Sequence, residues 1–147
     1  MKKIICLGVV ALLMAAVAFA AAPIKNVPIT DKNLKNLKGT WEGTIAYGLF
    51  QVETGPMTLE ILSDTAPVKG KVTLDIPQVV ASQYAVQSGK QTKENPDGKL
   101  TPQGSILWTG GGAANHSMEA WLTDGNKLQI FYYFMGIRGD ATLTKKK

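Results

Sequence analysis

The chain of 147 residues has few reactive side chains, with one cysteine, one histidine and one arginine. Cys6 lies in an apolar leader, so the rest of the chain has no disulfide and no thiol chemistry. A lone histidine needs carboxylates to hold a transition metal, and Glu119 and Asp124 are not spaced to help His116. We therefore predict a loop histidine at position 116, no metal site and no other cofactor.

The usual sets of catalytic residues are also missing from the sequence. No serine lies on a nucleophile elbow, and the aspartates fall at turns or on outward strand positions, where they form no pair for acid–base work. We expect no catalytic residues and no enzymatic activity. The single arginine lacks the aromatic neighbours of a nucleic-acid site, and Lys145, Lys146 and Lys147 read as a solvated tail. Nucleic acid is therefore not an expected partner.

The leader has the three parts of a secretory signal peptide. A basic start at residues 1–3 precedes an apolar run at 4–16 and the small-x-small pattern Ala18-Phe19-Ala20 that signal peptidase recognises. An uncleaved membrane anchor is the alternative, because the apolar run is nearly long enough to span a bilayer. We predict a signal peptide over residues 1–22, a periplasmic or secreted protein, and no membrane association after cleavage.

After a polar N-terminal segment at residues 23–38, the chain alternates between apolar and polar positions up to its end. In the first predicted strand Trp41, Ile45 and Tyr47 share one face, while Glu42 lies on the other, which is the pattern of a half-buried strand. Turn residues such as Asp124-Gly125 separate the segments. The eight predicted strands are 40–47, 57–61, 71–76, 79–86, 100–109, 117–123, 127–135 and 139–145, with a long polar loop at 87–99.

These strands predict an all-β domain at residues 39–147, built as an eight-stranded antiparallel up-and-down β-barrel. Closure is favoured because an open sheet of eight strands would leave two unpaired edges. A two-sheet sandwich is the alternative. Ahead of the domain, Thr30-Asp31 can start a short helical turn that places Leu34 and Leu37 on one side.

The helical turn followed by Gly39-Thr40-Trp41 resembles the opening of the lipocalin and avidin group of small barrels. The resemblance implies that Trp41 closes one end of the barrel and that a basic residue of the last strand packs across it. Lys145 takes that place, since the last strand lies beside the first, although the group more often has arginine there. The disulfides of eukaryotic lipocalins and the polar residues with which avidins bind biotin are absent.

The opposite, open end is predicted to hold a binding site. Aromatic residues collect towards it, and an apolar cavity with a few polar groups at its mouth is a usual small-molecule site. The expected ligand is small and largely apolar, with Arg138 available to pair with an acidic group. An interior filled by side chains is the alternative, because eight strands leave little space. The predicted ligand-binding residues are Tyr47, Phe50, Trp108, Tyr132 and Arg138.

An interaction protein is the alternative function. Residues 130–135 read Ile-Phe-Tyr-Tyr-Phe-Met, so this strand is apolar on both faces. Its outer face is exposed, covered by the N-terminal segment, or buried against a protein partner or a second copy of the chain. The layout also resembles that of some bacterial protease inhibitors, in which an N-terminal segment, here residues 22–27, enters the target. That family's disulfide is absent here.

Overall fold

The computed structural model describes residues 24–48, 53–110 and 116–147. The leader, Phe50 and most of the glycine-rich segment before His116 lie outside these ranges. Within them the chain forms nine strands and two short helices. In order these are β1 (Asn26–Val27), α1 (Asp31–Leu37), β2 (Gly39–Tyr47), β3 (Glu53–Ile61), β4 (Val68–Ile76), α2 (Gln78–Tyr84), β5 (Gly89–Leu100), β6 (Ser105–Thr109), β7 (His116–Thr123), β8 (Lys127–Phe134) and β9 (Ile137–Lys145).

All the strands belong to one antiparallel sheet that closes in a ring. Each strand from β2 to β9 pairs with the next, and β2 pairs with β9. The two-residue β1 pairs with the last two residues of β7, beyond those that pair with β6. The predicted all-β class is confirmed. The expected neighbourhood of the first and last long strands is also present, since Trp41 lies directly opposite Lys145.

The helical turn before the sheet is confirmed as α1. Thr30 caps the helix in a capping box with Asn33, and Leu34 and Leu37 are buried. Side-chain and backbone groups of the two cap residues thereby satisfy N–H groups that the first helical turn leaves free. The predicted alternation of β4 is also correct, with Val72, Leu74 and Ile76 buried.

The predicted strand at 79–86 is wrong, because these residues lie mostly in α2. Pro77 precedes the helix, and Ala85 ends it in the left-handed conformation. Val80 and Ala81 are buried against the core, and the half-buried Tyr84 also packs against it. These positions fit one helical face, since residues at i and i+4 lie together on a helix.

The predicted loop at 87–99 is also wrong, because it forms most of β5 and pairs with β4. The fifth predicted strand starts too early: residues 101–104 form a turn, in which the Gly104 N–H donates to the carbonyl of Thr101, and β6 begins at Ser105. Gly55 and Pro56 do not precede the second strand but lie inside β3.

The ring has two ends, which we name after their helices. The α1 end holds α1, the start of β2 and the end of β9. The α2 end holds α2, the turn between β8 and β9, and the ends of β2, β4 and β6. The middle of the ring is packed with apolar side chains, of which five are at most 1% exposed: Met57, Leu59, Ile61, Leu74 and Leu143.

Candidate functional site

At the α1 end, Trp41 and Lys145 occupy the positions that the sequence assigned to barrel closure. The indole N–H of Trp41 donates to the carbonyl of Leu37 at 2.7 Å, which joins β2 to the end of α1. The Lys145 ammonium lies 5.8 Å from the centre of the indole ring and donates to the carbonyl of Asn36 at 2.7 Å. Helix, tryptophan and lysine together cover this end of the ring.

At the α2 end, β5 carries a row of polar side chains on the inner face of the sheet. Gln91, Lys93 and Asn95 lie opposite Leu74, Val72 and Gly70 of β4, all of which are buried. Of the three, Asn95 is the most buried, at 4% exposed. The ring interior is therefore polar on one side at this end, which the sequence did not predict.

His116 lies near this row on β7, which is separated from β5 only by β6. It begins β7 and is buried, so its predicted placement in a loop is wrong. Its imidazole makes edge contacts with Tyr132 and Phe134, with ring centres 5.2 Å and 6.3 Å away. The Lys93 ammonium lies 4.6 Å from the centre of the same Phe134 ring. Lys93 and His116 thus share one aromatic neighbour.

Burial and neighbouring charges determine the protonation states of His116, Tyr132 and Tyr47. Burial lowers the pKa of His116 below its usual value, and the neighbouring Lys93 ammonium lowers it further. The imidazole is consequently neutral at pH 7. Burial likewise raises the pKa of Tyr132 well above its usual range, with a smaller contribution from Tyr47. Burial also raises the pKa of Tyr47, so the hydroxyls of Tyr47 and Tyr132 both stay protonated. The Tyr47 hydroxyl donates to the carbonyl of Asp75 at 3.1 Å.

Two buried polar atoms of the group have no hydrogen-bond partner among the described residues. They are the amide nitrogen of Asn95 and Nε2 of His116. Leaving a buried donor or acceptor without a partner costs about 1–3 kcal/mol, so such atoms are few in native proteins. Asn95 shares the inner face of β5 with Lys93, and Lys93 shares the Phe134 ring with His116, so the two atoms mark this end of the ring as the candidate site.

Of the predicted ligand-binding residues, Tyr47, Trp108 and Tyr132 are buried in the ring. Trp108 already uses its indole N–H, which donates to the carbonyl of Val68 at 2.7 Å. Its ring packs close to Gly70 and Gly98. Phe50 lies outside the described residues.

The prediction that Arg138 lies in the mouth is wrong. Arg138 is exposed on the outer face of β9, because Ile137 and Gly139 on either side of it are buried. It lies opposite Tyr133 of β8. Both residues line an outer cleft of about 410 Å³ that also includes Phe131. The positive charge inside the ring is supplied by Lys93 instead.

Helix α2 covers the site from above. It leaves β4 after Ile76, buries Val80 and Ala81, and brings Tyr84 to the turn between β8 and β9. A Cβ atom added to Gly136 in that turn would lie 3.3 Å from the Tyr84 ring. The helix therefore reaches from β4 to the opposite side of the ring.

No protein-family model, curated protein or solved structure matches this chain. Within the described ranges, no group of three or more His, Cys, Asp or Glu residues is placed to hold a metal ion. In the same ranges, no helix has both the length and the apolar character needed to cross a membrane.

Proposed function

We propose that this protein is an exported binding protein, a small eight-strand barrel of the lipocalin type, that holds a small and largely apolar molecule inside the ring at the α2 end. The observation that carries the proposal is the pair of buried polar atoms without partners, on Asn95 and His116. A ligand with a polar group would satisfy atoms that the folded chain leaves unpaired.

The surroundings of these atoms fit an apolar ligand body. Tyr132, Phe134 and Trp108 supply aromatic surface, and aromatic side chains offer the largest apolar contact area. Binding sites for small molecules usually combine such surface with a few polar groups that fix the orientation. Tyr47, Trp108 and Tyr132 remain in the proposed site, and Arg138 leaves it. The residues that join the site are Lys93, Asn95, His116 and Phe134.

Binding without chemical conversion is the favoured activity. The only histidine has Nε2 without a partner among the described residues, and its Nε2 therefore contacts neither a serine hydroxyl nor a carboxylate there. A general base needs such a partner or a substrate proton within hydrogen-bond distance. The group is better suited to hold a ligand than to move its protons.

The neutral apolar dye N-phenyl-1-naphthylamine tests the proposal by NMR. The chain has three tryptophans and one histidine, so the indole N–H and imidazole signals are few and separable. We expect the dye to shift the signals of Trp108 and His116, which are buried in the ring. The signal of Trp121, on the outer face, is the internal control and should stay in place.

A shift of Trp121 alone would place the dye on the outer face and contradict the proposal. The variant Asn95→Leu adds a second measurement, because leucine is apolar and has the same branching and number of heavy atoms as asparagine. Removing the unpaired amide should raise the free energy of unfolding by about 1–3 kcal/mol. Unchanged or reduced stability would argue that the amide has a partner inside the folded protein.

The second candidate function is self-association through the outer face of β7 and β8. Phe131 is 48% exposed on this face. With Ile24 and Trp121 it lines a cleft of about 540 Å³. Exposed apolar patches of this kind mark interaction surfaces. The N-terminal segment offers less to a partner than the inhibitor-like layout implies, because Asn26–Val27 pairs with β7 and Ile29 is buried.

If this face joins two copies of the chain, Phe131→Ser should convert a dimer to a monomer in sedimentation velocity. Leu62→Ser is the matched control, since Leu62 is a similarly exposed apolar residue at 50% but lies at the α1 end, after β3. A wild-type protein that sediments as a monomer at all concentrations would exclude this function. Equal effects of Phe131→Ser and Leu62→Ser on sedimentation would exclude it as well.

A further inference from the structure

The polar groups inside the ring at the α2 end are of different chemical types, and most of them are hydrogen-bond donors. The unpartnered atom of Asn95 is its amide nitrogen, which can only donate. The Lys93 ammonium carries three donors and no acceptor. Two residues of a strand separate these groups by about 7 Å along the same face. A ligand here has to bring acceptor atoms.

The charge of Lys93 has no counterpart in the described parts of the chain. Ion pairs there join Lys38 to Asp64 and Lys146 to Glu42, both at the α1 end or the outer surface. Lys93 is half-buried and contacts the Phe134 ring instead. Glu53 lies opposite Tyr47 at the rim and forms no ion pair with Lys93 within 4.0 Å. A half-buried cation without an anion costs desolvation energy that a bound anion would offset.

His116 completes the arrangement. Because its imidazole is neutral at pH 7, it adds no second positive charge beside Lys93. A neutral imidazole can present an N–H at Nε2, the atom left without a partner. Lys93, Asn95 and His116 then offer one charged and two neutral donors around the aromatic surface of Phe134 and Tyr132.

We infer that the ligand is a small organic anion, with a carboxylate or sulfonate group held by Lys93, Asn95 and His116 and an apolar body against Phe134 and Tyr132. The inference rests on the proposed function and names the chemical class of its ligand. All three hydrogen bonds to an anion would be charge-assisted and roughly twice as strong as neutral ones. Lys93 alone adds a full opposite charge, which makes it the main determinant of this preference.

Two dyes with almost the same body test the inference. 8-Anilino-1-naphthalenesulfonate carries a sulfonate, and N-phenyl-1-naphthylamine is the same ring system without it. We expect the wild-type protein to bind the sulfonate more tightly in fluorescence titrations. In Lys93→Gln the affinity for the sulfonate should fall about tenfold or more, since a hydrogen bond to a charged group contributes at least that factor. The affinity for the neutral dye should stay within about twofold.

Lys90→Gln is the matched control, because Lys90 is on the same strand but exposed on the outer face. It removes the same charge and should leave both affinities unchanged. Lys93→Arg retains the charge and should retain the preference for the sulfonate. Melting curves of all variants identify any loss of folding, and an unfolded Lys93→Gln would leave Lys93→Arg and Asn95→Leu to be compared with the wild type.

The outcomes separate this inference from the proposed function. Equal losses of sulfonate binding in Lys93→Gln and Lys90→Gln would show a general charge effect and overturn the inference. Tight binding of the neutral dye with no preference for the sulfonate would also overturn it, while the binding function stands. Failure of both dyes to shift the His116 signal would refute the proposed function itself.

Discussion

Trp41→Ala is expected to lower the free energy of unfolding by about 3–5 kcal/mol, the usual cost of emptying a large buried site. Trp41 is 2% exposed, so the substitution leaves a cavity at the α1 end. It also removes the hydrogen bond to the carbonyl of Leu37 that attaches α1 to β2. Lys145 would lose the ring over which its ammonium lies.

Urea denaturation followed by far-ultraviolet circular dichroism measures this effect. Trp121→Ala is the control, because it removes the same side chain from a half-buried position on the outer face of β7. Its cost should be much smaller, since little cavity forms at a partly exposed site. A Trp41→Ala protein that unfolds at the same urea concentration as the wild type would contradict the closure of the ring at this residue.

Gly98→Ala is expected to destabilise the protein by about 3 kcal/mol, at the upper end of the usual cost of overpacking. Gly98 lies opposite Val68 and beneath the Trp108 ring. A Cβ atom there would overlap the indole nitrogen of Trp108 and lie 2.6 Å from the carbonyl oxygen of Val68. These two atoms form a buried hydrogen bond, so the added methyl group would separate them.

The same denaturation experiment, read by tryptophan fluorescence, measures the loss. Gly125→Ala is the control, because the nearest atom to an added Cβ there is Thr123 Oγ1 at 3.9 Å. A substitution in such open space should change stability by about 0.5 kcal/mol or less. Equal stability of the two variants would mean that Trp108 does not pack on β5 at Gly98.

The sequence predicted those strands that bury one face and expose the other. In β2, β4, β7 and β9 the apolar residues recur at every second position, and this pattern follows from the geometry of a single strand. The Asp124-Gly125 turn and the helical turn with Leu34 and Leu37 are equally local. The predicted bounds of these elements are therefore close to the bounds in the structure.

The sequence predicts a strand where α2 lies and a loop where most of β5 lies, and both errors have a physical cause. Residues 89–95 are mostly polar on both faces, because their inner face borders the candidate site instead of the apolar core. No alternation remains to indicate a strand. Val79 and Val80 favour a strand locally, yet burial of Val80, Ala81 and Tyr84 against the ring makes them helical. Tertiary contacts overrode local preference in both segments.

The candidate site lies at the end of the ring where the sequence predicts a binding site, but its residues differ in part from the predicted ones. Tyr47, Trp108 and Tyr132 are inside the ring because their strands alternate regularly. The sequence predicts Arg138 in the mouth because it is close to a turn. The face of β9 on which Arg138 lies depends instead on the register of the strand. A shift of one residue moves a side chain from one face of a sheet to the other.

The sequence by itself determined the all-β class, the order of most strands, the start of the fold at α1 and the pairing of Trp41 with Lys145. Only the tertiary structure decided that Lys93 of β5 and His116 of β7 share Phe134 as a neighbour at the α2 end, with Asn95 on the same face of β5 as Lys93. Two different strands supply these residues, and no pattern along the chain relates them. Alternation is a property of one strand, while a site inside a ring depends on which distant strands face each other.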